Sequence, residues 1–157
     1  MIQNLHIFLY VFLISMVPVI ELRGASPVGA ALGLPWYENL IAAICGNLLP
    51  VPFILLFIRK ILAWMEQRGI FIWFVRFINE KVRKHTGAVL KYARWGLMVF
   101  VAIPLPGTGA WTGALIAAFL DIRMRSAFPA IGAGVVIAGA IMTAASYSVA
   151  GFLEYLL

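Results

Sequence analysis

Two stretches interrupt the otherwise continuous apolar sequence of this chain. One is Pro18-Val-Ile-Glu-Leu-Arg-Gly-Ala-Ser-Pro27, which carries Glu21 and Arg23; the other is Pro104-Leu-Pro-Gly-Thr-Gly109, at the corresponding place in the second half. Ionisable side chains and backbone that cannot stay helical are both costly in hydrocarbon. They persist there only when packed in protein or facing a wet cavity, which usually means a path for ions or substrate. The surroundings argue against soluble loops: 64% of the residues are hydrophobic and 11% charged, against roughly 45–50% and about 25% in soluble domains. The apolar runs are continuous and lack the alternation of outer-membrane strands, so the expected fold is all-α and polytopic.

The apolar blocks differ in length. Leu5 to Ile20 runs into Pro18 and the charged break, and a small-residue segment, Pro27 to Leu34, follows it before Pro35. Trp36 to Ile58 is about 23 residues, long enough at about 1.5 Å per residue to cross a core of about 30 Å. Pro50 and Pro52 should kink it beside the lone polar Asn47. In the second half, Trp95 to Ile103 and Ala110 to Leu120 are each about half a crossing. The Gly/Ala-rich run from Ala127 to Leu157 can span, and its Gly132, Gly134, Gly139 and Gly151 suit close helix contacts.

Charge placement selects the topology. The net charge is +6, and Arg59, Lys60, Arg68, Arg76, Lys81, Arg83, Lys84, Lys91 and Arg94 all fall between the apolar halves. If every block crossed fully, Arg123 and Arg125 would lie opposite Arg59, Lys60 and Arg94, against the positive-inside rule. A re-entrant hairpin over residues 95–120 puts both basic groups in the cytoplasm. The mirrored assignment makes 5–34 a hairpin entering from outside. The single membrane domain, 1–157, then reads as an inverted repeat of hairpin plus span: 5–34 and 36–58, then 95–120 and 127–157. Residues 59–94, basic with Trp64, Phe71, Trp73, Phe74 and Phe77, form cytoplasmic amphipathic helices lying in the interface. Both termini are expected outside the cell membrane, and Met1 to Tyr10 carries no Lys or Arg. The halves share faint similarity: Val17-Pro18 with Gly24-Ala25 parallels Ile103-Pro104 with Gly109-Ala110, and Gly29-Ala-Ala-Leu parallels Gly113-Ala-Leu-Ile.

Glu21 is the candidate for proton coupling, because a carboxylate held in low dielectric exchanges protons nearer neutral pH. Arg23 either neutralises Glu21 or binds an anionic group such as a phosphate with its planar fork. A plain salt bridge closing the hairpin is the structural alternative for both. The turn at Pro104, Pro106, Gly107, Thr108 and Gly109 offers backbone amides and a hydroxyl, and the helix starting at Ala110 points its N-terminus toward the site, where anions are favoured. Gly24 and Ser26 contribute the equivalent feature from the first hairpin. Trp111, Thr112 and Asn47 are further candidates for lining the cavity.

Other chemistry finds little support. Pro-Gly-Thr-Gly is no nucleotide loop, since no strand precedes it and no Lys follows. No Cys/His/Asp/Glu group has metal-ligand spacing, and no nucleophile–base pair is recognisable. No cofactor is implied and an enzyme is disfavoured. The basic middle segment reports the membrane surface rather than nucleic acid. Cys45, the one cysteine, reads as a buried structural thiol. No Lys or Arg precedes the first apolar run and no cleavage site follows it, so it does not read as a signal peptide.

Glu21-Leu-Arg-Gly-Ala-Ser-Pro27 and Phe100-Val-Ala-Ile-Pro-Leu-Pro-Gly-Thr-Gly-Ala-Trp-Thr-Gly113 resemble the small multidrug export protein family over nearly the whole chain. That family looks like a distant relative of the DedA superfamily. The resemblance implies two opposed re-entrant hairpins, each followed by a span, and a role in transport or lipid translocation, since DedA-type proteins are linked to undecaprenyl phosphate recycling and proton-motive-force-dependent drug tolerance. DedA-type second hairpins carry arginines near the phenylalanine and after the proline. The stretch from Phe100 to Gly107 has none, so Arg23 is the only hairpin arginine.

The leading expectation is a proton-coupled secondary transporter for a small or amphipathic substrate, anionic where Arg23 binds it, assembled as a homodimer among membrane lipids. A lipid-phosphate flippase is the alternative within transport, and a membrane-shaping or assembly protein the alternative outside it. The topology has a direct check. Cysteines introduced beside Arg123 and beside Lys84 are expected to react with impermeant maleimide from the same side of the membrane; labelling from opposite sides rules out the re-entrant second hairpin.

Overall fold

The computed structural model describes residues 4–68, 88–105 and 107–156. These residues are helical with no strand: α1 Leu5–Met16, α2 Glu21–Ala31, α3 Trp36–Leu48, α4 Pro50–Gln67, α5 Ala88–Ala102, α6 Ala110–Phe119 and α7 Met124–Leu156. Most of the amphipathic segment expected over 59–94 lies outside them; α4 runs on to Gln67 and α5 begins at Ala88. Two segments are long and apolar enough to cross a membrane, Trp36–Ile58 and Met124–Phe152, with 44% and 39% of their apolar windows buried in the chain. A core helix of a soluble protein would bury most of its surface. Here large apolar side chains such as Leu13, Phe53, Phe57, Val136, Ile141 and Phe152 are exposed instead, over more area than a soluble monomer tolerates.

The remaining helices are short, and their ends follow from local chemistry. Pro18 cannot continue α1, which closes with the Val17 amide bonded to Ile14 O at 3.0 Å. The chain turns over residues 17–20, and Glu21 N bonds Val17 O at 3.0 Å to begin α2. Val19, a β-branched residue at φ 81 and 94% exposed, sits at this turn; such backbone stores of order 1–3 kcal/mol. The break expected through Pro27 is confined to residues 17–20, because α2 incorporates both Gly24 and Pro27. Pro27 is the seventh of the 11 residues of α2, where its exposed ring removes one helical bond without ending the helix. Pro50 and Pro52 fall in the first turn of α4, directly after Leu49 interrupts α3 and α4.

The same devices recur in the two halves. α2 ends in a Schellman motif, with Leu34 N on Gly29 O and Gly33 N on Ala30 O, and Gly33 at φ 76. α6 ends the same way, with Ile122 N on Ala117 O, Asp121 N on Ala118 O, and Asp121 at φ 50. Leu34 and Ile122, the residues after each left-handed position, are both buried, and a candidate span starts two residues later in each case. Gly46 of α3 packs on Phe12 O and Ser15, three apart on α1; Gly134 of α7 packs on Met98 O and Val101, three apart on α5. The return helices exchange partners: α2 packs on α7, and α6 packs on α4. The core between them is small-residue rich, with Ala25, Ala42, Ala43, Ala110, Ala114, Ala117 and Ala138 buried. Cys45 falls outside this stripe and is exposed, which corrects the expectation of a buried thiol: Ala42, Ala43 and Gly46 take the inner face of α3.

Close backbone approach at Gly46 and Gly134 has a measurable consequence. A methyl at either position would collide with a backbone carbonyl, so Gly46→Ala and Gly134→Ala should each destabilise the purified protein by roughly 1–3 kcal/mol. Gly96→Ala, where no atom lies within 4 Å of the added carbon, should not lower its thermal midpoint in detergent.

Candidate functional site

The two turns meet. Glu21 opens α2, and its carboxylate forms an ion pair with Arg23 Nη1. The side chains of Arg23 and Glu21 are 12% and 6% exposed. The other terminal nitrogen of Arg23, Nη2, crosses to the second turn, donating to Ile103 O at 2.9 Å and to Thr108 Oγ1 at 3.0 Å. The Thr108 hydroxyl lies 2.7 Å from Ile103 O and 2.9 Å from Leu105 O, so it donates within its own turn while accepting from Arg23. In the reverse direction, the Trp111 amide in the first turn of α6 donates to Glu21 Oε1 at 3.3 Å. The Trp111 indole donates to Met16 O at 3.2 Å, tying α6 to the end of α1.

Each contact has a local cause. Ile103 ends α5 because Pro104 follows it, and Ile103 O accepts the Leu105 amide at 2.9 Å as well as Arg23. Gly107 at φ 84 supports the turn that follows. Gly109 then lies against the Glu21 carboxylate so closely that a Cβ there would overlap it. This glycine is therefore a requirement of the approach between the halves. The helix N-terminus of α6, where anions are favoured, is occupied by a carboxylate of the chain itself.

Of the residues expected at the site, Glu21, Arg23, Thr108, Gly109 and Trp111 come together. Gly24 is part of α2, with its amide on Ile20 O at 2.9 Å. Ser26 is buried one turn further on, and its carbonyl accepts from Asn39 at 2.9 Å. Asn47 is fully buried in α3, and neither of its amide atoms has a hydrogen-bond partner. Thr112 and Pro104 are half-buried and Gly107 is exposed. None of these shows a contact with the pair, and Pro106 lies outside the described residues. Sequence reasoning missed the carbonyls of Ile103 and Met16, which no side-chain pattern encodes. It also missed Tyr147, whose hydroxyl donates to Leu34 O across α7 and the loop before α3. Among the described residues, no group of three His, Cys, Asp or Glu side chains comes together to hold a metal.

The arrangement is a buried ion pair with all but one of its strong hydrogen-bonding groups engaged, the exception being Arg23 Nε. Removing one partner from such a pair strands the other charge, at about 3–5 kcal/mol. A proton on Glu21 would leave the Arg23 charge unpaired in the same way, and Arg23 is what joins the two turns. No curated protein and no solved structure matches the chain. A family model described as "Putative small multi-drug export protein" matches residues 21–141. That stretch begins at Glu21, directly after the first turn, takes in the second turn and covers most of the 157 residues, and the chain belongs to that family.

Proposed function

We propose that this membrane protein is a proton-coupled secondary transporter whose substrate passes between two opposed re-entrant hairpins. α1–α2 enters from outside and α5–α6 from the cytoplasm, and each is followed by a span of opposite orientation. The observation that carries the reading is the buried Glu21–Arg23 pair clasping Ile103 O and Thr108 across the junction of the two turns. A structural pair could close one hairpin; this one holds both. Further support comes from helix length. α1, α2 and α6 have 12, 11 and 10 residues, about 15–18 Å each, or little more than half of a core of about 30 Å; α5 is longer than expected at 15 residues, with its apolar part over Tyr92–Ala102. Arg94 and Arg125 line one groove, as expected when the second hairpin returns to the side it entered from. The family's description agrees with a transporter rather than an enzyme.

In the closed state Arg23 neutralises Glu21, and the carboxylate occupies the N-terminus of α6. A proton on Glu21 removes the charge that holds Arg23, so the clasp to the second turn loosens. Arg23 and the Trp111 amide are then free to receive an anionic group of a small or amphipathic substrate. Deprotonation restores the pair and expels that group. Proton and substrate thus enter and leave the site together. Gly132 and Gly151 face open space on α7 and suit a second copy of the chain against the cell-membrane span.

In proteoliposomes, substrate-dependent proton flux is expected to fall at least ten-fold in Glu21→Gln, which holds position 21 neutral and keeps its shape. Wild-type flux in that variant would remove Glu21 from the coupling step. Arg23-dependent movement of a fluorescent polyprenyl phosphate with no accompanying proton would instead assign the site to lipid-phosphate flipping.

A further inference from the structure

A second charged feature lies away from the junction of the turns. α5 and α7 run in the same direction, with Met98 and Val101 against Gly134. A groove of about 350 Å³ opens between the second turn of α5 and the first turn of α7. Arg94, Arg125 and Ser126 line its beginning; Met98, Ala130 and Ala133 line it further along both helices. Both arginines are exposed. The Glu21–Arg23 salt bridge involves neither of them. The first turn of α7 carries no acidic residue, which leaves the positive end of a 33-residue helix at the same place. Trp95, 63% exposed, borders the groove, and an indole there suits the depth of lipid headgroups.

We propose that this groove binds one anionic phospholipid, its phosphodiester held between Arg94, Arg125 and Ser126 and an acyl chain laid along Met98, Ala130 and Ala133. Two planar guanidinium forks match phosphate oxygens in shape as well as charge, and the serine adds a hydroxyl donor. A free phosphate would use only the first part of the groove and leave its apolar continuation unfilled. A zwitterionic lipid would set its own cation beside two arginines. The occupant that satisfies both parts carries net negative charge and a hydrocarbon chain. The inference is independent of the transport reading, since it uses neither Glu21 nor either turn.

Native mass spectrometry of the full chain in detergent tests it, with dioctanoyl phosphatidylglycerol, the matching phosphatidylcholine and inorganic phosphate as probes. One phosphatidylglycerol is expected to be retained in preference to phosphatidylcholine, with affinity lowered at least ten-fold in R94Q/R125Q. Ala133→Phe fills the apolar part and should weaken the same lipid with both charges intact. Arg123→Gln changes an exposed arginine outside the groove and should leave binding unaltered. Equal retention of phosphatidylcholine, binding that survives R94Q/R125Q, or an equal loss in Arg123→Gln would each overturn the site. Displacement of the lipid by millimolar inorganic phosphate would overturn it in favour of a free-anion site.

Discussion

A charged pair withdrawn from water has to be satisfied from all sides, and here the demand is met only when the two halves of the chain touch. Glu21 takes one nitrogen of Arg23 and the amide of Trp111; Arg23 spends its other terminal nitrogen on Ile103 O and Thr108. Neither half supplies these partners alone. The pair therefore acts as a registration device as well as a candidate switch, because any slip between the turns leaves buried charge unpaired. Gly109 shows how tight the fit is, since even a methyl would displace the carboxylate.

The frame that permits this approach is built from small residues and repeated caps. Alanines fill the contact between α2, α3, α6 and α7, and Gly46 and Gly134 let α3 and α7 close on the backbone of the preceding short helices. In lipid, apolar side chains gain little by leaving one hydrocarbon surface for another, so close packing and hydrogen bonding carry the association. Two Schellman motifs, with Gly33 and Asp121 at their left-handed positions, deliver the chain from a short helix into a candidate span in each half.

Much of this was legible in the residues. The segment Trp36–Ile58 stands out by length and hydropathy and coincides with a candidate span. Glu21, Arg23, Thr108, Gly109 and Trp111 were recognisable because charge, turn chemistry and a helix start are unusual inside apolar sequence. What failed did so for physical reasons. Pro27 looked like a break, but it lies inside α2 with its ring exposed, and the helix continues past the one bond it removes. Asn47 looked like a lining residue, yet it is buried without contact to the pair, because a lone polar residue in a helix does not declare which face it is on. Cys45 looked buried, but in lipid the outer face of a helix is as apolar as the inner. The Ile103 carbonyl could not be read at all, since every residue has one.

The central claim is that Arg23 couples the halves through the second turn, and a double-mutant cycle between Arg23→Leu and Thr108→Val addresses it most directly. Valine keeps the shape of threonine and removes the hydroxyl that Arg23 meets at 3.0 Å. With unfolding free energies measured in bicelles, the account predicts a coupling of about 1 kcal/mol or more, as for a hydrogen bond to a charged group. Effects that add to within about 0.3–0.5 kcal/mol would contradict it, and would leave Glu21 and Arg23 as a pair confined to the first half.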